Sequence, residues 1–161
     1  MADKTVKTNA ERMLDKMKIA HKEYLYDGSQ ALSGVEVAAL LGQDVRRVFK
    51  TLVTVGKSGA HYVFMIPVAE ELDLKKAARA VGEKSVEMVK SKELLPLTGY
   101  VHGGCSPVGM KKLFPTVFHS SVENLPTVIV SAGKIGYQVE VKPADLMGLV
   151  RAETADIIVE N

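Results

Sequence analysis

The sequence predicts an α/β protein in which helices pack around a mixed sheet. Three features carry that expectation. Runs rich in β-branched residues, such as Val48-Phe49-Lys50-Thr51-Leu52-Val53-Thr54-Val55, have the length and composition of strands. Stretches between them open on helix-capping residues and close on glycines. The order mixes hairpins with helical excursions, which disfavours the strict alternation of a doubly wound fold.

Element by element, Thr5 to Ile19 brings Val6, Ala10, Met13, Leu14 and Met17 to one helical face, with Glu11, Arg12, Asp15, Lys16 and Lys18 on the rest. Tyr24 to Tyr26 reads as a short strand before the turn residues Asp27-Gly28-Ser29. Ser33-Gly34-Val35-Glu36 is a capping box, opening a helix that reaches about Leu41 and stops at Gly42. Val48 to Val55 and His61 to Val68, joined by the turn Lys57-Ser58-Gly59, form a hairpin. Asp73 caps a helix from Leu74 to Val81, closed by Gly82. Ser85 to Val89 is a short strand, and Ser91 opens another helical turn. A loop from Gly99 to Gly109 leads into the basic segment Met110 to Leu113. Strands follow at Thr116 to His119, Thr127 to Ser131 and Tyr137 to Val141. Pro143 suits the first turn of a final helix, and Ile157 to Val159 is expected as an edge strand.

The 161 residues suffice for one domain with a substantial core, and no repeat or linker divides them. Apolar content of 47% and charged content of 25% are ordinary for a globular protein. The longest apolar runs are far too short to span a bilayer. Met1-Ala2-Asp3-Lys4-Thr5 lacks the apolar stretch of a secretory signal. The single cysteine, Cys105, excludes an internal disulfide, so a reducing cytoplasm is the expected location. A net charge of +2 does not by itself announce nucleic acid.

Lys50 is the most informative residue. On a strand it shares one face with Val48, Leu52 and Thr54, while Phe49, Thr51, Val53 and Val55 take the other. If both faces are covered, an ammonium group is set against apolar walls, where leaving it unpaired costs several kcal/mol. Such a lysine either has a partner or opens into a cleft where it meets an anion. The competing reading is an edge-strand lysine that reaches water along its own stem.

Gly103-Gly104-Cys105-Ser106-Pro107-Val108-Gly109 is the second feature. Adjacent glycines admit backbone geometry closed to other residues, and successive amides there can bind a carbonyl oxygen, an oxyanion or a phosphate. A tight connection with no ligand is the alternative. Cys105, with His102 three residues earlier, invites a nucleophile reading, but proximity in sequence does not establish a catalytic pair. His21, His61, His102, His119 and Cys105 show no metal-ligand spacing, so no metal is expected. The third feature, Ser131-Ala132-Gly133-Lys134-Ile135-Gly136-Tyr137-Gln138-Val139-Glu140, reads on its own as a hairpin turn between apolar strands.

Together these segments resemble the YbaK/EbsC family, whose best-known members are Cys-tRNA(Pro) deacylases related to the editing domain of bacterial prolyl-tRNA synthetases. Arg47-Val48-Phe49-Lys50-Thr51-Leu52-Val53 is similar to the family's lysine strand. Gly103 to Gly109, followed by Lys111-Lys112, is similar to its GxxxP loop, and Ser131 to Gly136 to its late glycine turn. Leu74-Lys75-Lys76-Ala77-Ala78 and Pro143-Ala144-Asp145-Leu146 also match, so the likeness spans nearly the whole chain in order.

The resemblance implies one editing domain over residues 1–161, with a barrel-like mixed sheet and a cleft beside the lysine and the glycine loop. It implies hydrolysis of a mischarged aminoacyl-tRNA, foremost Cys-tRNA(Pro), without a cofactor. Lys50 is then the essential lysine, and Gly103 and Gly104 belong to the loop that positions the substrate carbonyl. Tyr26, Cys105, Ser106, Pro107, Ser131 and Gln138 are carried over as substrate-binding residues. Gln138 stands where the YbaK branch often has Asp; a neutral amide donates and accepts but cannot act as a carboxylate. Arg46, Arg47, Lys111, Lys112 and Lys134 are candidates for a basic rim gripping the tRNA acceptor end, with prolyl-tRNA synthetase as a further expected partner. In the family the substrate's own thiol is thought to attack its ester. The alternatives are a deacylase for another small amino acid, and a module that binds tRNA or a synthetase without hydrolysis.

Overall fold

The computed structural model describes residues 7–160. Helix α1 (Asn9–Lys16) begins where Thr8 caps it: the Thr8 hydroxyl accepts from the Glu11 amide at 3.1 Å, and the Glu11 carboxylate accepts from the Thr8 amide at 2.9 Å. This box starts the helix four residues later than the periodicity suggested; Thr5 and Val6 lie outside the described residues. Ala10 and Leu14 are buried, whereas Met17, expected on the apolar face, sits past the helix end and is exposed.

The chain continues through β1 (His21–Leu25), α2 (Gly34–Leu40), β2 (Phe49–Gly56), β3 (His61–Pro67), α3 (Leu74–Val81), β4 (Val86–Met88) and α4 (Ser91–Thr98). It then forms β5 (Thr116–His119), β6 (Val128–Ser131), β7 (Tyr137–Val141), α5 (Pro143–Val150) and β8 (Glu153–Ala155). Both bonds of the Ser33–Glu36 capping box are present, and Asp73 accepts from two amides at the start of α3. The expected edge strand at Ile157 to Val159 is displaced. The strand that closes the sheet is β8, while Ile157 is fully buried under α3 and Ile158 makes only an isolated bridge to Leu72. Filling the space below Ala77 and Ala78 draws Ile157 inward, leaving the more polar Glu153-Thr154-Ala155 to pair with β5.

The strands form two sheets. The larger is mixed, in the order β4-β2-β3-β5-β8, with β2–β3 and β2–β4 antiparallel and β3–β5 and β5–β8 parallel. The smaller, β1-β7-β6, is antiparallel. A parallel bridge between Val48 and Ile129 joins them. The principal core lies between the sheets, where Phe49 and Val53 of β2 meet Val130, Val139 and Val141. On the other face of the larger sheet, Phe64, Ile66 and Leu52 pack beneath α3. Lys50 lies opposite Ile66 in the β2–β3 register, on this second face.

A polar knot reinforces the junction of the sheets. Glu140 of β7 accepts from the Tyr24 hydroxyl at 2.6 Å, from the Thr127 hydroxyl, and from the Arg47 guanidinium at 3.4 Å. Arg47 also donates to Thr127 at 2.7 Å. Burial pushes the Glu140 carboxyl up, but the Thr127 and Tyr24 hydroxyls with Arg47 and Lys22 outweigh it, so its net displacement is downward. A carboxyl lowered in the folded state contributes stability above its unfolded value of about 4.3, and that contribution is lost as the pH falls through the folded value. Arg47→Ala should therefore cost about 1.5–3 kcal/mol in urea unfolding, the range for a hydrogen bond to a charged group. Glu140→Gln should lose less stability than the native chain on acidification below about pH 4.3, measured by the same transitions.

Candidate active site

A cleft of about 290 Å³ opens between the start of β2, the segment after β1, the N-terminus of α2, the glycine loop and the β6–β7 turn. Of the residues singled out from the sequence, Tyr26, Lys50, Gly103, Cys105, Ser131 and Gln138 line it.

Lys50 combines features of both readings, a locally open strand edge and a place in the cleft wall. β2 is an interior strand, but β4 pairs with it only from Thr54 to Gly56. From Phe49 to Leu52 the second edge of β2 has no strand partner among the described residues, and there the lysine is half-buried in the cleft wall. Its ammonium has no hydrogen bond or ion pair among the described residues. Burial lowers its pKa, partly offset by the charges of Glu71 and Glu70.

The glycine loop packs onto the β6–β7 turn, and its two glycines differ in purpose. Gly103 has φ of +86°, a conformation that β-carbon-bearing residues rarely adopt. At Gly104 a β-carbon would come within 3.0 Å of the Ile135 nitrogen and 3.2 Å of the Lys134 carbonyl carbon. The Gly104 amide donates to Val101 O at 3.0 Å. Gly104, Ser106 and Pro107 are buried outside the cleft lining. The Ser106 hydroxyl accepts from the Val108 amide at 3.2 Å, shaping its own loop.

Cys105 lines the cleft at only 7% exposure, and burial pushes its thiol up to about 11, against a smaller opposing hydrogen bond from Thr98. The thiol is thus held protonated near neutrality, the reverse of what a nucleophile requires. His102 is exposed on the cleft wall and makes no hydrogen bond to Cys105.

Tyr26 is fixed through its amide, which donates to Gly136 O at 2.9 Å. Gln138 pairs with Ser131 across β6–β7 and accepts from Gln43 Nε2 at 2.8 Å through its own Oε1. The basic residues divide. Arg46 is exposed but doubly bonded to Asp44, at 3.1 and 2.9 Å. Arg47 is committed to the Glu140 knot. Lys111 and Lys112 are exposed, with Lys112 above the Phe114 ring. Lys134 is exposed, with its ammonium 5.3 Å from the centre of the ring of Tyr137, a lining residue, but is not itself part of the lining.

Sequence reasoning passed over Gln43, Thr51 and Tyr137. Thr51, on the face of β2 opposite Lys50, also lines the cleft, and its hydroxyl, like Gln43 Oε1, is buried without a hydrogen-bond partner among the described residues. A buried polar group left unpaired was the signal, and it is visible only in three dimensions. No signal in the sequence marked Gln43. Among the described residues no group of three or more His, Cys, Asp or Glu side chains could hold a metal ion, and no helix is long and apolar enough to cross a membrane.

The site thus combines a cation, a glycine-built loop and several hydroxyl and amide donors, suited to orienting an ester and its attached nucleotide. Residues 29–149 match the family model of the aminoacyl-tRNA editing domain, and the chain belongs to that family. It is 47% identical to the "Putative Cys-tRNA(Pro)/Cys-tRNA(Cys) deacylase EbsC" of Enterococcus faecalis, over 94% of this chain and 93% of that one. It is 26% identical to a proline–tRNA ligase of Thermosipho melanesiensis, over 63% of this chain and 18% of the ligase. The crystal structure of "a putative trans-editing enzyme for prolyl tRNA synthetase" superposes with a TM-score of 0.82 at 26% identity, covering 94% of this chain and 96% of that one.

Cys105 should resist alkylation in the folded protein. At about pH 8 its modification by a small thiol reagent should be about a hundredfold or more slower than in the urea-unfolded chain, because both thiolate fraction and access are reduced. Comparable rates would contradict the burial described.

Proposed function

We propose that this chain is a trans-acting aminoacyl-tRNA deacylase that hydrolyses mischarged tRNA, foremost Cys-tRNA(Pro), as a single cytoplasmic editing domain. The observation that carries this reading is the half-buried Lys50 ammonium, without a protein partner, facing a glycine loop in a cleft that holds no activated nucleophile. The extent of the likeness to the Enterococcus faecalis protein supports the same substrate class. The partial match to a proline–tRNA ligase supports prolyl-tRNA synthetase as a partner. The bridge between Val48 and Ile129 supports reading the two sheets as one barrel-like wall behind the cleft.

In this mechanism Lys50 anchors the terminal phosphate or ribose of the acceptor end, with Lys134 assisting from beside Tyr137. Gly103, Cys105 and Tyr26 hold the aminoacyl group, with Gly104, Ser106 and Pro107 supporting the loop from behind, and Gln138 and Ser131 form the wall beside it. The Gly104 amide is already bonded within the loop, so neighbouring amides are left to face the ester carbonyl. The substrate thiol attacks that carbonyl. A carbon–sulfur bond forms, the ester carbon–oxygen bond breaks, and the thiol proton passes to the departing ribose oxygen. Water then opens the cyclic thioester to free cysteine. Orientation contributes most of the acceleration, since the ester is already activated.

A second reading keeps this chemistry and changes the amino acid. The neutral Gln138–Gln43 pair favours it, because no carboxylate at that wall selects a particular side chain. A pure binding module is disfavoured, since it has no need to bury an unpaired cation.

The test is a deacylation panel with Cys-, Ala-, Ser- and Pro-charged tRNA(Pro) and with Cys-tRNA(Cys). Cys-tRNA(Pro) should be cleaved fastest, with a trappable thiolactone and with S-methylation of the substrate nearly abolishing turnover. Equal rates on Cys- and S-methyl-Cys-tRNA would point to activated water instead. Lys50→Ala should lower kcat/KM by about 10²-fold or more without unfolding the protein. Cys105→Ala should retain most activity, whereas Gly103→Val should be severe because φ of +86° excludes a branched side chain.

A further inference from the structure

β2 presents main-chain groups to the cleft as well as side chains. Along a strand the amide and carbonyl of one residue point to the same side, and successive residues alternate sides. At even-numbered positions these groups face β3: the Val48 carbonyl accepts from the Val68 amide at 2.8 Å. At odd-numbered positions they face β4: the Val53 carbonyl accepts from the Val89 amide at 3.1 Å, and the Lys57 amide donates to the Ser85 carbonyl at 3.0 Å. The β2–β3 pairing runs from Phe49 to Val55 in one uninterrupted register, so the alternation holds through Thr51. The Thr51 amide and carbonyl therefore point to the β4 side.

β4 does not reach them. Continued in the same register, the β2–β4 ladder would set Ser91 opposite Thr51, but Ser91 is the first residue of α4 and the chain has turned away. Among the described residues no hydrogen bond reaches the Thr51 main chain on that side. Thr51 borders the cleft there, together with Leu94, Gly103 and Cys105. Its buried hydroxyl is a further polar group without a partner among the described residues. A donor and an acceptor side by side at a strand edge suit one antiparallel partner residue, which exchanges both hydrogen bonds at a single position. An aminoacyl ester carries the matching groups on either side of its α-carbon, N–H donors on the nitrogen and an acceptor on the ester carbonyl. No Asp or Glu lines the cleft among the described residues, so the amine meets neutral acceptors such as this carbonyl. The Lys50 side chain leaves β2 on the opposite face.

We infer that the aminoacyl residue of the substrate binds as a one-residue strand partner of Thr51: its α-nitrogen donates to the Thr51 carbonyl, and its ester carbonyl accepts from the Thr51 amide. The second lone pair of the ester carbonyl remains for an amide of the glycine loop. As the carbonyl oxygen gains charge during attack, the bond from the Thr51 amide strengthens, so it stabilises the transition state more than the ground state. Directly opposed residues of an antiparallel pair send their side chains to the same face. An L-aminoacyl group therefore directs its side chain to the Thr51 face, toward Phe49, Leu94 and Cys105, and a D-aminoacyl group directs it to the Lys50 face. This rests on the deacylase reading above.

The test replaces Thr51 by the corresponding α-hydroxy acid, which turns its amide into an ester and removes one N–H while keeping the side chain. The same change at Val55, which faces β4 and pairs with Glu87, is the comparison. On L-Cys-tRNA(Pro) the Thr51 ester should lower kcat/KM about tenfold or more, chiefly through kcat, while disturbing urea unfolding less than the Val55 ester does. The Val55 ester should cost stability and leave kcat/KM essentially native. With the native protein, D-Cys-tRNA(Pro), which keeps the thiol, the amine and the ester, should be cleaved at a rate about tenfold or more below that of the L form. A Thr51 ester as active as the native chain, equal losses of activity at Thr51 and Val55, or equal rates on the two enantiomers would overturn the inference while leaving the deacylase reading intact. Failure of the native protein to cleave either enantiomer would overturn that reading and this inference with it.

Discussion

An ammonium group half withdrawn from water must be stabilised, and around Lys50 the protein supplies little for that purpose. Glu70 and Glu71 act only from a distance, and neither reaches ion-pair separation. The surrounding architecture makes this arrangement possible. β4 pairs with β2 only from Thr54 onward, so one edge of β2 beside the lysine opens into the cleft instead of into a ladder. The rest of β2 is held firmly by β3 and by Phe49 and Val53 in the principal core. The cost of the unpaired cation is thereby borne by a rigid strand, which keeps the charge available to an anion.

Two contacts keep the cleft walls in register. The Glu140 knot ties Arg47, immediately before the lysine strand, to β7 and to the segment that leads into β6. The approach of Gly104 to the Lys134–Ile135 backbone seats the glycine loop on the turn that also anchors Tyr26 through Gly136. These contacts tie Lys50, the loop and the far wall to one another. That arrangement suits a reaction in which orientation, rather than a protein nucleophile, supplies the acceleration.

Much of this was legible in the sequence because it depends on local chemistry. The Ser33–Glu36 box, the Asp73 cap with Gly82, and the hairpin around Lys57-Ser58-Gly59 were assigned from short patterns and are present. Lys50 stood out because a charge among β-branched residues conflicts with its surroundings. What escaped depends on long-range pairing. The closing strand moved to Glu153–Ala155 because Ile157 fills space under α3, a demand made by residues eighty positions earlier in the chain, Ala77 among them. Arg47 reads as a surface base next to Arg46, yet Glu140, 93 residues away, draws it into the fold. Gln43 meets Gln138 across 95 residues with nothing in either segment to announce it. Gly104 invited a ligand-facing assignment, but its missing β-carbon makes room for a neighbouring turn.

The central claim is that Lys50 is kept desolvated and unpaired until an anionic acceptor end arrives. The most direct measurement is the pKa of its side-chain nitrogen by NMR on protein labelled at lysine Nζ, with the Lys50 signal identified by Lys50→Arg. In the free protein the value should lie below that of an ordinary lysine, about 10.4, because burial disfavours the charged form. Addition of an RNA hairpin ending in CCA, without an attached amino acid, should raise it, as a phosphate or ribose oxygen supplies the missing partner. A Lys50 that titrates like an exposed lysine, or one indifferent to the hairpin, would contradict the account.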